Sequence, residues 1–293
     1  MITIKVPATS ANIGPGFDSL GVALQLYLTL EIHEETATWI VDHDFSDTMP
    51  HDEKHFIVQT ALSLSANIKP HHIIVTSDIP LARGLGSSSS ALIAGLAMAN
   101  ILSDLHLSND TLLLNATVLE GHPDNVAPAL LGGGVAAYYD GSHVFHAPLK
   151  MPKNIDFVTF IPNYKLLTSA ARSALPDSLS FHESVAASAI SNTLVAALNA
   201  NDFATVGKLI EQDHFHENAR ASLVPHLAII RQIAHKLNIV GTYLSGAGPT
   251  VMTIVAKEQT DDLLSALLGA HLPGQVKILK QDLMGLTIMK EEN

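Results

Sequence analysis

Two glycines and four hydroxyls fall in one run, Gly84-Leu85-Gly86-Ser87-Ser88-Ser89-Ser90, directly ahead of an Ala- and Leu-rich stretch. Glycine lets a backbone turn tightly and approach a ligand with no Cβ in the way. A helix opening at this point carries unpaired N–H groups and a field that favours anions. The hydroxyls add donors, and one can ligate a phosphate-bound Mg²⁺. This is chemistry for holding phosphate groups. An N-cap turn with solubilising serines has the same composition. The run is not a Walker A loop, since no Lys-Ser/Thr follows the glycines. Nor is it a dinucleotide fingerprint, since Ser89 stands where the third glycine belongs.

Two other glycine-rich segments join expected strands. Pro7-Ala8-Thr9-Ser10-Ala11-Asn12-Ile13-Gly14-Pro15-Gly16-Phe17-Asp18-Ser19-Leu20-Gly21 contains a rigid Gly-Pro-Gly turn. It can present Asn12 and Asp18 to a small polar ligand, or spend them on its own backbone. Leu244-Ser245-Gly246-Ala247-Gly248-Pro249-Thr250 can bring amides to a phosphate, abut the first segment, or simply connect two strands.

Charged candidates are few. Glu120-Gly121-His122-Pro123-Asp124-Asn125 lies between two expected helices. Glu120 suits a Mg²⁺ beside phosphates, His122 and Asn125 suit a hydroxyl ligand, and Asp124 suits a helix first turn. Arg172 and Arg220 are two of four arginines, the others being Arg83 and Arg231. A guanidinium forks onto a carboxylate, though a surface role explains either one equally well. The 16 histidines are scattered. His71 and His72 are adjacent and diverge on a strand, while His214 and His216 are two apart and do not share a helix face. No His-based metal site is expected.

The elements that must position these groups follow from pattern. A strand is expected over Ile2 to Val6, closed by Pro7, then a longer one at 22–32 with Thr36 to Val41 as its hairpin partner. Helices are expected at Lys54 to Asn67, Ser87 to Leu102, Asn109 to Leu119 and Asp124 to Leu131, with strands at Ile73 to Val75, 134–139 and His143 to His146. The second half reads as strand Ile155 to Ile161, helices at 183–199, 202–214, 225–237 and 260–269, and strands at 239–244, 250–255, 275–279 and 285–290. This is an α+β pattern in both halves, with a boundary between Pro148 and Asn154. Hydrophobic residues make up 47% of the 293 and charged residues 15%, enough apolar material for one or two cored domains. A formal charge of -12 without a basic cluster argues against nucleic acid and anionic membrane partners. There is no cysteine, hence no disulfide or thiolate site. No uninterrupted apolar run of about 18 residues suggests a membrane span, and the N-terminus reads as a strand rather than a signal peptide. A cytoplasmic enzyme is the expectation.

Taken in order, the three glycine motifs resemble those of the GHMP small-molecule kinases, whose members phosphorylate alcohols such as galactose, mevalonate and homoserine. Pro7–Leu24, and Glu120-Gly121-His122-Pro123-Asp124-Asn125-Val126-Ala127-Pro128 followed by Gly132-Gly133-Gly134, resemble the members that act on L-homoserine. The similarity spans essentially the whole chain. It implies two domains, 1–152 similar to domain 2 of ribosomal protein S5 and 153–293 ferredoxin-like. It also implies ATP between them, with Pro80, Leu81, Ala82, Arg83, Gly84, Leu85, Gly86, Ser87, Ser88, Ser89 and Ser90 around its phosphates. Matched by motif, Ser88 and Glu120 hold Mg²⁺. Asn12, Asp18, His122, Asn125, Arg172 and Arg220 contact L-homoserine, Asp18 through the ammonium and the two arginines through the carboxylate and the transferring phosphate. Asn125, Arg172 and Arg220 are thereby the catalytic candidates, and a homodimer is expected.

Two positions depart from relatives. Some family members use an Asp as base where Asn125 stands, so catalysis here falls to alignment and charge stabilisation. An Asn near the adenine is replaced by Lys54-His55-Phe56, which leaves His55 as the candidate contact. A mevalonate-pathway or diphosphocytidyl-erythritol type of kinase leaves Arg172 and Arg220 less explained. A non-catalytic metabolite-binding regulator is the reading from outside the enzymes.

Overall fold

A computed structural model of the chain describes residues 1–46 and 48–290. In chain order the first half holds β1 (Ile2–Ala11), β2 (Leu20–Glu35), β3 (Ile40–Asp42), α1 (Phe56–Leu64), β4 (His71–Ser77), α2 (Ser87–Leu102), α3 (Asn109–Glu120), α4 (Pro123–Leu131), β5 (Gly134–Tyr139) and β6 (Val144–Leu149). There follow β7 (Ile155–Pro162), α5 (Thr168–Ser173), α6 (Phe181–Ala200), α7 (Phe203–Ile210), α8 (His226–Lys236), β8 (Thr242–Leu244), β9 (Val251–Ala256), α9 (Thr260–Gly269), β10 (Gly274–Leu279) and β11 (Thr287–Lys290).

Seven strands form the first sheet, ordered β11-β1-β2-β4-β3, with β5 on β2 and β6 on β5. The second sheet is β10-β7-β9-β8, antiparallel throughout. Its side chains alternate with the pleat. Phe157, Tyr243, Met252 and Ile254 face a large core shared with the first sheet, α2, α6 and α7. Val158, Phe160, Leu244 and Val251 face a smaller core under α8 and α9. The two sheets therefore share one apolar interior, and a cavity opens along the seam.

Three expectations are corrected, and a fourth element is found in the first sheet. Pro7 does not close the first strand: β1 runs on to Ala11, with its register against β2 shifting between Pro7 and Ala8. β11 pairs only with Ile2 to Lys5, so the missing N–H of Pro7 breaks no ladder on that side. Thr36 to Val41 is no hairpin partner of β2. The edges of β2 are already taken by β1, β4 and β5, and Ile40–Asp42 pairs in parallel with β4 instead. The helix expected over 202–214 stops at Ile210, because the Asp213 carboxylate accepts from the backbone N–H groups of Phe215, His216 and Glu217 and winds a turn there. The strand expected at 285–290 lies in the first sheet, Ile2 opposite Lys290. A division after residue 152, retained as a proposal, thus separates the two sheets apart from β11, which crosses back. No described helix is long and apolar enough to cross a membrane.

Candidate active site

A cavity of about 370 Å³ lies on the seam. Its floor is the start of α2. Gly84 and Gly86 have φ of 72° and 67°, in the left-handed region. A Cβ on Gly84 would stand 2.4 Å from the Ser245 carbonyl oxygen, and one on Gly86 would stand 2.0 Å from Thr9 Oγ1. Both positions need glycine for space as well as for φ. Gly86 is the N-cap of α2 and brings no side-chain acceptor to its first turn, so those N–H groups face the cavity as anion donors. Ser87 and Ser88 line it. Ser89 donates to Glu120 Oε1 at 2.8 Å. Ser90 is buried and donates to the Pro7 and Gly86 carbonyls.

Of the residues expected around phosphate, Leu81 to Gly84 and Gly86 to Ser89 line the cavity, whereas Pro80, Leu85 and Ser90 do not. Leu85 is in the core. Arg83 donates to the carbonyls of Pro162 and Asn163 and so fastens this loop to the end of β7.

At one end of the cavity stand Asn12, Asp18, His122, Asn125, Arg172 and Arg220, six residues from four separated stretches of chain. Asn12 braces its loop: Nδ2 donates to the Gly246 carbonyl and Oδ1 accepts from the Asp18 N–H. Arg172 forks onto Asp18, with Nη2–Oδ1 2.8 Å and Nη1–Oδ2 3.1 Å. Asp18, His122 and Asp124 bring ligand atoms within 4.8 Å of one another. Burial opposes charge on His122, but the hydrogen bond and charge of Asp124, with Asp18 beyond, outweigh it and raise the imidazole above its ordinary value. Arg220 is 2% exposed and donates to the Ala171 and Gly246 carbonyls, 3.0 Å each. Burial, and after it the neighbouring Arg172, bring its guanidinium down to about 10. It carries no carboxylate salt bridge among the described residues, so an anion in the cavity would meet a desolvated cation.

Asn125 is oriented by its partners. Its Oδ1 accepts from Thr9 Oγ1 at 2.7 Å, and its Nδ2 donates to Asp124 Oδ1 at 3.3 Å. The second Nδ2 hydrogen is left for the cavity, so Asn125 offers a donor there and cannot act as a base.

The opposite end is apolar, with Leu28, Phe45, Met49, Phe56 and Val75. His55 sits there as the N-cap of α1, its Nδ1 accepting from the Ile57 N–H. Burial, and after it His43 and His51, push it down to about 4. A flat, weakly polar ring suits this end.

The third glycine segment joins the other two. Ser245 Oγ donates to the Gly84 carbonyl at 2.6 Å, the Gly246 N–H donates to the Ala11 carbonyl, and the Gly246 carbonyl receives both Asn12 and Arg220.

Sequence reasoning missed Thr9, Phe17 and α5. Phe17 lies under both arginines, with the guanidinium carbons of Arg172 and Arg220 at 5.7 and 5.6 Å from the ring centroid; its place in Gly-Pro-Gly-Phe-Asp was its one signal. Helix α5 is six residues with Ala171 alone buried, too short to leave a period.

The model of the GHMP kinases N terminal domain matches residues 55–133, and that of the GHMP kinases C terminal matches residues 194–273. The chain belongs to the GHMP kinase family. Within it the chain groups with the homoserine kinases: it is 67% identical to the homoserine kinase of Leuconostoc mesenteroides over 99% of both chains. It is 51% identical to that of Limosilactobacillus fermentum over 97% of this chain and 99% of that one. A solved structure of homoserine kinase from Cytophaga hutchinsonii is similar with a TM-score of 0.84 at 26% identity, covering 98% of this chain and 97% of that one. The two-domain architecture is that of the family.

Proposed function

We propose that the chain is an ATP-dependent kinase that phosphorylates the side-chain hydroxyl of L-homoserine, giving O-phospho-L-homoserine for threonine synthesis. One observation carries the substrate: Asp18, Arg172 and the buried Arg220 stand together beside the phosphate loop. A zwitterionic amino acid matches them, its ammonium on Asp18 and its carboxylate on the two guanidinium groups. The adenine goes to the apolar end beside His55, and the phosphates go to the first turn of α2.

Ser88 and Glu120 are hard oxygen donors of the kind Mg²⁺ takes, and the Ser89 hydroxyl holds the carboxylate toward the loop. Mg²⁺ bound there would supply charge neutralisation for the phosphates. In the transfer the homoserine hydroxyl oxygen forms a bond to the γ-phosphorus as the bond to the β,γ-bridging oxygen breaks, releasing ADP. The hydroxyl proton passes to an oxygen of the moving phosphoryl group, since Asn125 cannot take it. Asn125 Nδ2 donates to the reacting oxygens, and the N–H groups that open α2 stabilise the charge that develops on the phosphoryl.

The test is ADP release with Mg·ATP and, separately, L-homoserine, L-threonine, mevalonate, shikimate and galactose. Homoserine is expected to be preferred. A folded protein that releases no ADP with homoserine sinks the assignment, and preference for another alcohol keeps the fold and changes the substrate. The expected homodimer is part of this proposal and is read by sedimentation.

A further inference from the structure

His216 was set aside as a metal ligand, and the catalytic scheme above does not use it. It is fully buried in the turn-rich stretch between α7 and α8. Its backbone is pinned, because the N–H groups of His216 and Glu217 both donate to Asp213 Oδ2 at 2.7 Å. Its ring lies against Phe17, centroids 5.4 Å apart and 29° between planes. Each ring nitrogen faces a different part of the active site.

Nε2 stands 3.1 Å from the Gly14 carbonyl oxygen and 3.8 Å from Asp213 Oδ1. Both are acceptors, so Nε2 carries the hydrogen. Nδ1 stands 3.3 Å from Arg220 Nη1. A guanidinium has only donors, so Nδ1 must offer a bare lone pair. A hydrogen there would set two donors head to head. One neutral tautomer satisfies both sides, and it couples the Gly14 loop, which presents Asn12 and Asp18, to Arg220. The loop has no slack of its own: a Cβ on Gly14 would lie 2.1 Å from the Ile210 carbonyl oxygen. Arg220 in turn has two carbonyls and this nitrogen to fix its plane, and no carboxylate salt bridge among the described residues.

We propose that His216, as the Nε2–H tautomer, is a positioning residue that aims Arg220 at the carboxylate of the acceptor and so sets selectivity for amino-acid alcohols over alcohols lacking that group. The inference rests on the homoserine reading. His216 touches no reacting atom, so its effect appears in acceptor recognition and leaves nucleotide binding alone.

The experiment compares full-length wild type, H216F and H216N with two acceptors, L-homoserine and its decarboxylated analogue, an aminopropanol. Phe fills the space without an acceptor, whereas the Oδ1 of Asn stands where Nδ1 stood. One hydrogen bond to a charged group is lost in H216F, so KM for homoserine should rise about tenfold, and the preference for homoserine over the aminopropanol should fall by about the same factor. KM for Mg·ATP should stay within about twofold, and H216N should recover most of the preference. Equal losses for both acceptors, an unchanged homoserine KM, or H216N no better than H216F overturns the positioning role. Should H216F not fold, ¹⁵N-histidine NMR of the wild type decides: a hydrogen on Nε2 and a bare Nδ1 are expected, and the other tautomer or an imidazolium at neutral pH overturns the proposal. A wild type that makes no ADP with homoserine would instead defeat the functional reading, which separates the two failures.

Discussion

The Arg172 guanidinium closes on both carboxylate oxygens of Asp18, at 2.8 and 3.1 Å, across the mouth of the acceptor end. The two charges that a zwitterion needs are thus already opposed. On the proposed function, a bound amino acid would insert its ammonium and carboxylate between groups that now satisfy each other. Both partners are substantially exposed, so the pair adds little to folding. Its proposed worth lies in acceptor binding. Arg172→Ala should raise KM for homoserine by about 10- to 100-fold, the cost of a lost charge-assisted hydrogen bond, and shift the melting temperature little. Steady-state kinetics and thermal denaturation check both. A Tm loss without a KM change would assign the pair to stability instead.

Thr9 has a sharper local role. It is buried in β1, and its hydroxyl donates to Asn125 Oδ1 at 2.7 Å. Without that donor the Asn125 amide can turn over and present its carbonyl to the reacting oxygens. Thr9→Val keeps the shape and removes the hydroxyl, so kcat should fall about tenfold while KM for homoserine moves less, with a stability loss of about 1–3 kcal/mol from the orphaned carbonyl. Thr9→Ser should restore kcat. Equal loss in the Ser and Val variants would point to packing rather than the hydroxyl.

These two residues mark what could be read in advance. The bounds of α2 were legible because Gly86 and an Ala- and Leu-rich run define a helix start locally. Asp18 and Arg172 entered as motif-matched candidates, since no pattern brings positions 18 and 172 together. Thr9 left no signal: a polar residue in a strand looks the same whether it meets water or an amide from another element. The same holds for β3, whose partner depended on which edges of β2 were already occupied. The candidate residues that line the cavity could be gathered by resemblance, and their bonding to one another only in three dimensions.

Glu120 separates the metal role from a structural one. Its Oε1 accepts from Ser89, and a Gln would keep that bond through its own carbonyl oxygen. Glu120→Gln should therefore fold normally and lose turnover by about 100-fold, the scale of removing one stabiliser of transition-state charge, with a partial rescue at high Mg²⁺. Ser88→Ala should raise the Mg²⁺ concentration needed for half-maximal rate. Kinetics across a Mg²⁺ titration read both, and unchanged turnover in Glu120→Gln would remove the metal role.

His55 ties the stability of the apolar end of the cavity to pH. Burial lowers its pKa to about 4, and His43 and His51 add to that. The unfolded chain returns it to an ordinary value near 6.5. Between these values the unfolded state takes up the proton and the folded state does not, so acid favours unfolding. The stability present above about pH 6.5 should be lost progressively as pH falls toward about 4. His55→Asn supplies another N-cap acceptor for α1 without a titrating ring. The variant should lose less stability than wild type between pH 6.5 and 4, as read by urea denaturation at each pH. Parallel curves for the two proteins would mean that His55 is not the group whose protonation the fold resists.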